Sequence, residues 1–269
     1  MLLVLGLFAC AQTQTVTVPF IATVNGDAFA CGQTYPDVGS PGDTIDPIDL
    51  RLFVHDVGLV DDSGATVPID LDQDGTWQYQ NVALLDFEDG TGACETGSPD
   101  MHTELTGTVP KGTYAGLSFT LGVPDDLNHI DASTADAPLN DTGLWWGWLG
   151  GYKYAAIDVS TPVNPEFYLH LGATDCTDAG GGSYACTLDN LSAITLPDFT
   201  PDSDAINLDL SRLYAASDLD AIPDGVTDSV SGCMTLAGDP ECGPLLAALG
   251  LPWDDQAAVE QTFFEVQSQ

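Results

Sequence analysis

Four histidines punctuate this chain, and three of them sit in phrases that read as folded structure: His55 in RLFVHDV, His129 at the end of VPDDLNH, and His170 in FYLHLG. Imidazole is the commonest metal ligand among side chains. Imidazoles without free thiolates beside them suit copper or zinc. His55, His129 and His170 are therefore the candidate metal ligands, each against the commoner role of a hydrogen-bonded structural histidine. His102, in the loop-like SPDMHTE, is expected to be exposed and idle. Met101 and Met234 offer soft thioethers, but both lie beside loop or cysteine positions and need not meet the histidines.

Rare residue types crowd one window. The phrases GVPDDLNH (122–129), LWWGWLGGYKY (144–154) and FYLHLG (167–172) hold two of the four histidines, three of the five tryptophans and one of the two lysines. An indole has no ordinary metal-binding atom, so a tryptophan matters to a metal only once oxidised. Trp145 and Trp146 are adjacent and would face opposite ways in a strand. Such a cluster is expected to be packing. Trp77, in DGTWQYQN, opens a strand after an acidic turn. The stretch from Asp70 to Gly75 resembles the first half of a calcium loop, but Asn81 stands where a bidentate Glu is required. Calcium is thus a weak second choice of ion, and a polar turn explains the stretch as well. No GxSxG elbow, HExxH helix or phosphate loop is present. Carboxylate pairs carry no signal in a chain with 41 acidic residues. The expectation is a protein that is not an enzyme.

The elements that must position these residues read as β. Thr15–Asn25, Ile48–Val60, Ala65–Leu71, Gly116–Gly122 and Tyr154–Val159 alternate apolar and polar positions at period two. Gly and Pro punctuate them at 41–43, 74–76 and 110–113. Histidines about forty positions apart in sequence can meet across such a structure, since neighbouring strands lie only ~4.8 Å apart. An all-β, immunoglobulin-like β-sandwich with long loops and few short helices is expected. Pro244–Leu251 suits a turn or two of helix, and 206–216 suits either a helix or a strand. The residues 198–204 form a weak linker candidate, but their flanks look alike, so 11–269 is read as one domain.

Charge narrows the partners. Four basic residues face 41 acidic ones, a formal net charge of −37 over 269 residues. Such a field repels nucleic acid and anionic membrane surfaces. Adaptation to a salty habitat explains it without any electrostatic function. The first ten residues, MLLVLGLFAC, read as a short leader, with Cys10 as a lipidation candidate and an exported, periplasmic or cell-surface destination. Setting Cys10 aside leaves Cys31, Cys94, Cys176, Cys186, Cys233 and Cys242, six cysteines with 15 connectivities open to them. The close spacing of 176/186 and of 233/242 favours small disulfide loops and leaves Cys31 with Cys94. An oxidising compartment fits this set better than zinc, since no CxxC occurs.

The phrases FACGQTY, DLRLFVHDVGLV, WQYQNVALLDFEDGTGAC, GVPDDLNH, LWWGWLGGYKY, FYLHLG and the tail SGCM…CG…LGLPW together resemble the MbnP family of bacterial exported copper-binding proteins. The resemblance covers nearly the whole chain after residue 10, in order. It implies a β-sandwich that binds one copper ion, as Cu(I), in copper acquisition or homeostasis. It implies a partner, an MbnH-like di-haem enzyme of the cytochrome c peroxidase type, that oxidises one tryptophan to kynurenine. Trp77 is the first choice for that residue, with the WWGW group second. His55, His129 and His170 are the implied ligands, His55 the least secure. The alternative function is an extracellular, calcium-stabilised adhesion or binding module whose histidines are structural; a metal-dependent secreted enzyme ranks third.

Overall fold

The computed structural model describes residues 12–95, 97–221 and 230–269; the leader with Cys10 lies outside them. The described chain is a β-sandwich of a six-stranded and an eleven-stranded sheet, with a separate two-stranded hairpin. No helix among the described residues is long and apolar enough to cross a membrane.

The smaller sheet is built on the strand Thr13–Val24, whose buried positions Val16, Val18, Phe20 and Ala22 recur at the period expected for one face against a core. It pairs antiparallel with Glu104–Pro110 and parallel with Asp204–Asp209, which in turn carries Phe264–Ser268. The larger sheet is built on the 19-residue strand Asp43–Asp61. Along one edge that strand pairs first with Gly151–Ser160 (through residues 46–52) and then with Tyr114–Leu121 (through 54–61), and Tyr168–Gly172 lies beyond Gly151–Ser160. Val82–Asp86 pairs with its central residues 51–55. Phe119 joins the layers, meeting Phe20 edge-on at 5.9 Å and Phe264 at 5.2 Å between ring centroids. Edge-to-face aromatic pairs of this kind add about 1 kcal/mol beyond their burial.

Register sorts the central strand into two faces. Leu121 opposes Val54, and Leu50, Leu52 and Val54 share the face that meets the other sheet. Arg51, Phe53 and His55 take the opposite face. That face is not left to water. The excursion between Leu121 and Gly151 folds over it: Asp141 bonds Arg51, the Leu139 carbonyl accepts from the Tyr152 hydroxyl, and Tyr152 meets Phe53 edge-on at 5.7 Å. Asn128 Oδ1 anchors the same excursion by accepting the Tyr152 amide at 2.9 Å. Both faces of the strand are covered, so its middle reads as a nearly continuous apolar run instead of alternating cleanly.

The cysteines pair 31–94, 176–186 and 233–242. Cys176 and Cys186 face each other across the hairpin Thr174–Gly180/Ser183–Leu188, whose tip is the glycine run. Residues 206–216 turn out to be both of the readings they suit: the strand Asp204–Asp209 runs directly into the one-turn helix Leu210–Leu213. The helix expected at Pro244–Leu251 is present as Cys242–Ala248, beginning two residues earlier and ending three earlier.

Candidate metal centre

His129 caps the one-turn helix Asp125–Asn128. Its Nδ1 lies 2.9 Å from the carbonyl oxygen of Trp148. A carbonyl can only accept, so Nδ1 carries the proton and Nε2 keeps a lone pair. Nε2 stands 3.6 Å from Cys186 Sγ and 3.4 Å from Asn128 Nδ2, and the ring lies 4.9 Å from that of Tyr184. This edge of the imidazole opens on a cleft of about 230 Å³ bordered by Asp125, Asp126 and Tyr184.

The WWGW loop holds His129 from the other side. Trp145 packs against the core and meets Trp148 edge-on at 5.5 Å. Trp146 and Trp148 do not pack away: they are 36% and 49% exposed. Gly147, at φ 132°, takes the left-handed backbone that turns the chain between Trp146 and Trp148. Trp146 lies over Gly172, where a Cβ would come within 2.4 Å of its ring. It borders a cleft of about 400 Å³ together with Cys176 and Met234. The expectation that the cluster is packing thus holds for Trp145, holds in part for Trp146, whose ring rests on Gly172 while one side stays open, and fails for the half-exposed Trp148.

His170, in the strand Tyr168–Gly172, is buried. Its Nε2 lies 3.0 Å from Asp158 Oδ2, and its Nδ1 has no hydrogen-bond partner among the described residues. A carboxylate that takes one ring proton and orients the other nitrogen is the arrangement usual behind a metal-bound histidine. Thr235, next to Met234, donates to the His170 carbonyl at 3.3 Å, which ties this strand to the cleft wall. The same sheet face carries a buried ionic network. Arg51 forks onto Asp49 at 2.6 and 2.9 Å and reaches Glu88 and Asp141 at 3.0 Å each. Burial pushes the Asp86 carboxyl up to about 7 and, with Asp49 beside it, that of Glu88 up to about 8. Burial also pulls the neighbouring Lys153 ammonium down.

His55 is buried, with Nδ1 donating to the Gly122 carbonyl at 2.9 Å and Nε2 3.9 Å from Asp56. The three sequence-selected histidines do not converge. Among the described residues, the histidine, cysteine and acidic side chains that gather ligand atoms within 4.8 Å of one another are His129, Cys176 and Cys186. Those two sulfurs are bonded to each other, so neither is a thiolate ligand while the bond is intact. Sequence reasoning treated these cysteines only as a loop closure; the histidine beside them was brought there by a contact spanning 57 positions, which no local pattern signals.

Two other expectations need correction. His102 is not exposed and idle: it bridges to Asp86, its Nδ1 bonds the Leu84 carbonyl at 2.6 Å, and burial pulls its pKa down. Its ring stacks on Trp77 at 5.3 Å with the planes 2° apart, so Trp77 is placed against His102 and not against the other three histidines. The calcium reading of 70–81 also fails. Asp74 Oδ1 accepts the amides of Thr76, Trp77 and Gln78 at 2.7–3.1 Å, which is a side-chain-capped turn.

A family model described as MbnP matches residues 13–235. A solved structure, MbnP from Methylosinus trichosporium, is similar over 96% of this chain and 99% of that one, at 30% identity and a TM-score of 0.84. No curated protein matches the chain.

Proposed function

Since the chain belongs to the MbnP family, we propose that it is an exported protein that binds one copper ion, as Cu(I), and serves copper acquisition or homeostasis. One observation carries the reading. The WWGW loop fixes the His129 ring through the Trp148 carbonyl while Trp146 borders the cleft beside Met234. His129 Nε2 and His170 Nδ1 both keep lone pairs because their other ring nitrogens are engaged, and Met234 adds a thioether that suits Cu(I). We assign His129 Nε2 to copper as the first donor, and His170 Nδ1 and Met234 as further donors, although these do not gather on one point with His129 in this structure. His55 has the same Nδ1–carbonyl contact as His129 but is buried and borders neither cleft, so it is reassigned to structure.

An MbnH-like di-haem partner fits a chain without catalytic motifs of its own. It would convert one tryptophan to kynurenine, exposing an aniline nitrogen and a carbonyl that an indole lacks. Exposure and position favour Trp146 over Trp77: a partner enzyme can reach it, and it lies by the donors just named, whereas Trp77 is stacked on His102. Metal analysis and peptide mapping of protein co-produced with such a partner test the reading. One equivalent of copper and a modified 144–152 peptide are expected. Copper retained by a His129→Ala, His170→Ala double variant would overturn the assignment.

A further inference from the structure

We propose that reduction of the Cys176–Cys186 disulfide opens a second mode of metal binding, a Cys2His site for a thiophilic d10 cation. Its ligands are Cys176 Sγ, Cys186 Sγ and His129 Nε2. The geometry rests on no assumption about copper; only the identity of the ion in the cell rests on the reading above.

Convergence is the first argument. The three ligand atoms already lie within 4.8 Å of one another, with Nε2 3.6 Å from Cys186 Sγ. The Trp148 carbonyl holds the proton on Nδ1, so Nε2 needs no deprotonation to bind. A metal–thiolate bond is about 2.3 Å long. Two sulfurs on one ion therefore stand farther apart than in a disulfide, a change that rotation about the two Cα–Cβ bonds supplies. Thiolates with one imidazole, and a thioether close by, select Cu(I) or Zn(II) over harder ions.

Access is the second argument. Cys31, Cys94, Cys233 and Cys242 are 0–3% exposed. Cys176 and Cys186 are only half-buried, and Cys176 borders the open cleft with Trp146 and Met234. Thiol–disulfide exchange depends on such access, so a dithiol reductant reaches this bond before the others. The hairpin that carries it pairs with neither large sheet. Opening the bond leaves the sandwich intact. The step balances simply: an external dithiol attacks one sulfur, then its second thiol resolves the mixed disulfide. Two electrons and two protons pass to Cys176 and Cys186, and the reductant leaves as a disulfide. The cation then displaces the two thiol protons.

Cadmium, whose thiolate complexes absorb in the ultraviolet, is a direct probe. Full-length protein is treated with a limiting dithiol, and alkylation with peptide mapping identifies the freed thiols. Labelling confined to Cys176 and Cys186, followed by a charge-transfer band that saturates at one Cd²⁺ per chain, is expected. The oxidised protein, reduced protein with alkylated thiols, and a Cys176→Ser, Cys186→Ser double variant should lack the band. His129→Ala should weaken binding roughly tenfold or more, the scale on which even outer-shell partners of a metal act. No band in selectively reduced protein, an unchanged affinity in His129→Ala, or prior reduction of the buried disulfides would overturn the proposal. Oxidised protein that takes no copper while reduced protein shows the band would sink the preceding reading and support this one.

Discussion

Arg51 is the cation bonded directly to Asp49, Glu88 and Asp141, and replacing it with Met should be among the costliest conservative-volume changes in the chain. The side chain is 12% exposed and contacts Asp49, Glu88 and Asp141, which are 8%, 1% and 30% exposed at their side chains. Asp141 is wet enough to count for little, since exposed pairs contribute at most about 1 kcal/mol. The loss comes from Asp49 and Glu88. Removing one partner of a buried pair costs about 3–5 kcal/mol, because the other charge stays buried and unmatched. That figure is expected near pH 8. Glu88, pushed up to about 8, is protonated at pH 5.5 and no longer needs the guanidinium. The cost should then shrink, because a group half ionised at pH 8 is fully protonated at pH 5.5 and makes no charge-pair demand on position 51. The wild type has its own pH signature. The folded-state pKa values of Asp86 and Glu88 are raised, so the folded chain holds protons that the unfolded chain has lost. Their contribution is present below about pH 4 and is lost as pH rises through 7 and 8. Urea unfolding of wild type and Arg51→Met at pH 5.5 and pH 8 measures both effects. Equal penalties at the two pH values, or a penalty below about 1 kcal/mol at pH 8, would refute the reasoning.

Gly172→Ala should destabilise by about 1–3 kcal/mol and displace the Trp146 ring, which leaves only 2.4 Å for the new carbon. Thermal melting and tryptophan fluorescence read both, and an unshifted emission spectrum would mean that the ring does not rest there. His102, whose pKa is lowered by burial, should titrate below its ordinary range by NMR. Because it is less readily protonated when folded, its contribution is lost as pH falls below about 6.5. Trp77→Ala should move that titration back up, and no movement would show that the stacked indole does not shield the ring. With a net charge of −37, raising salt to about 1 M, where the Debye length is ~3 Å, should raise the melting temperature. A salt-independent melting temperature would show that self-repulsion does not weigh on the fold.

Strand positions were legible wherever one face is wet. Thr13–Val24 alternates because its outer residues meet water, and period two announces it. The disulfides were legible from spacing alone in the two short loops. The site was harder. His129, His170 and the WWGW loop were found by their rarity, yet the meeting of His129 with the loop depends on an excursion that doubles back over the sheet from residue 122 to 150. Nothing periodic encodes that path; it is fixed by single contacts such as Asn128 to the Tyr152 amide and Asp141 to Arg51. His102 was misjudged for a related reason. Its loop-like phrase looks exposed, but an isolated bridge to Asp86 draws it under Trp77. The calcium-like Asp run was a turn because one carboxylate can satisfy three backbone amides as readily as it can an ion.

The order of strands in the smaller sheet bears on when this molecule can become itself. Its first described strand lies beside Asp204–Asp209, which in turn requires Phe264–Ser268 along its other edge. Phe264 also packs on Phe119, so the join between the layers waits for the same late segment. A nascent chain emerging residue by residue cannot close that edge or complete that aromatic stack until Phe264–Ser268 is available. Closure of this edge and of the join between the layers therefore waits for Phe264–Ser268, however early the other strands pair.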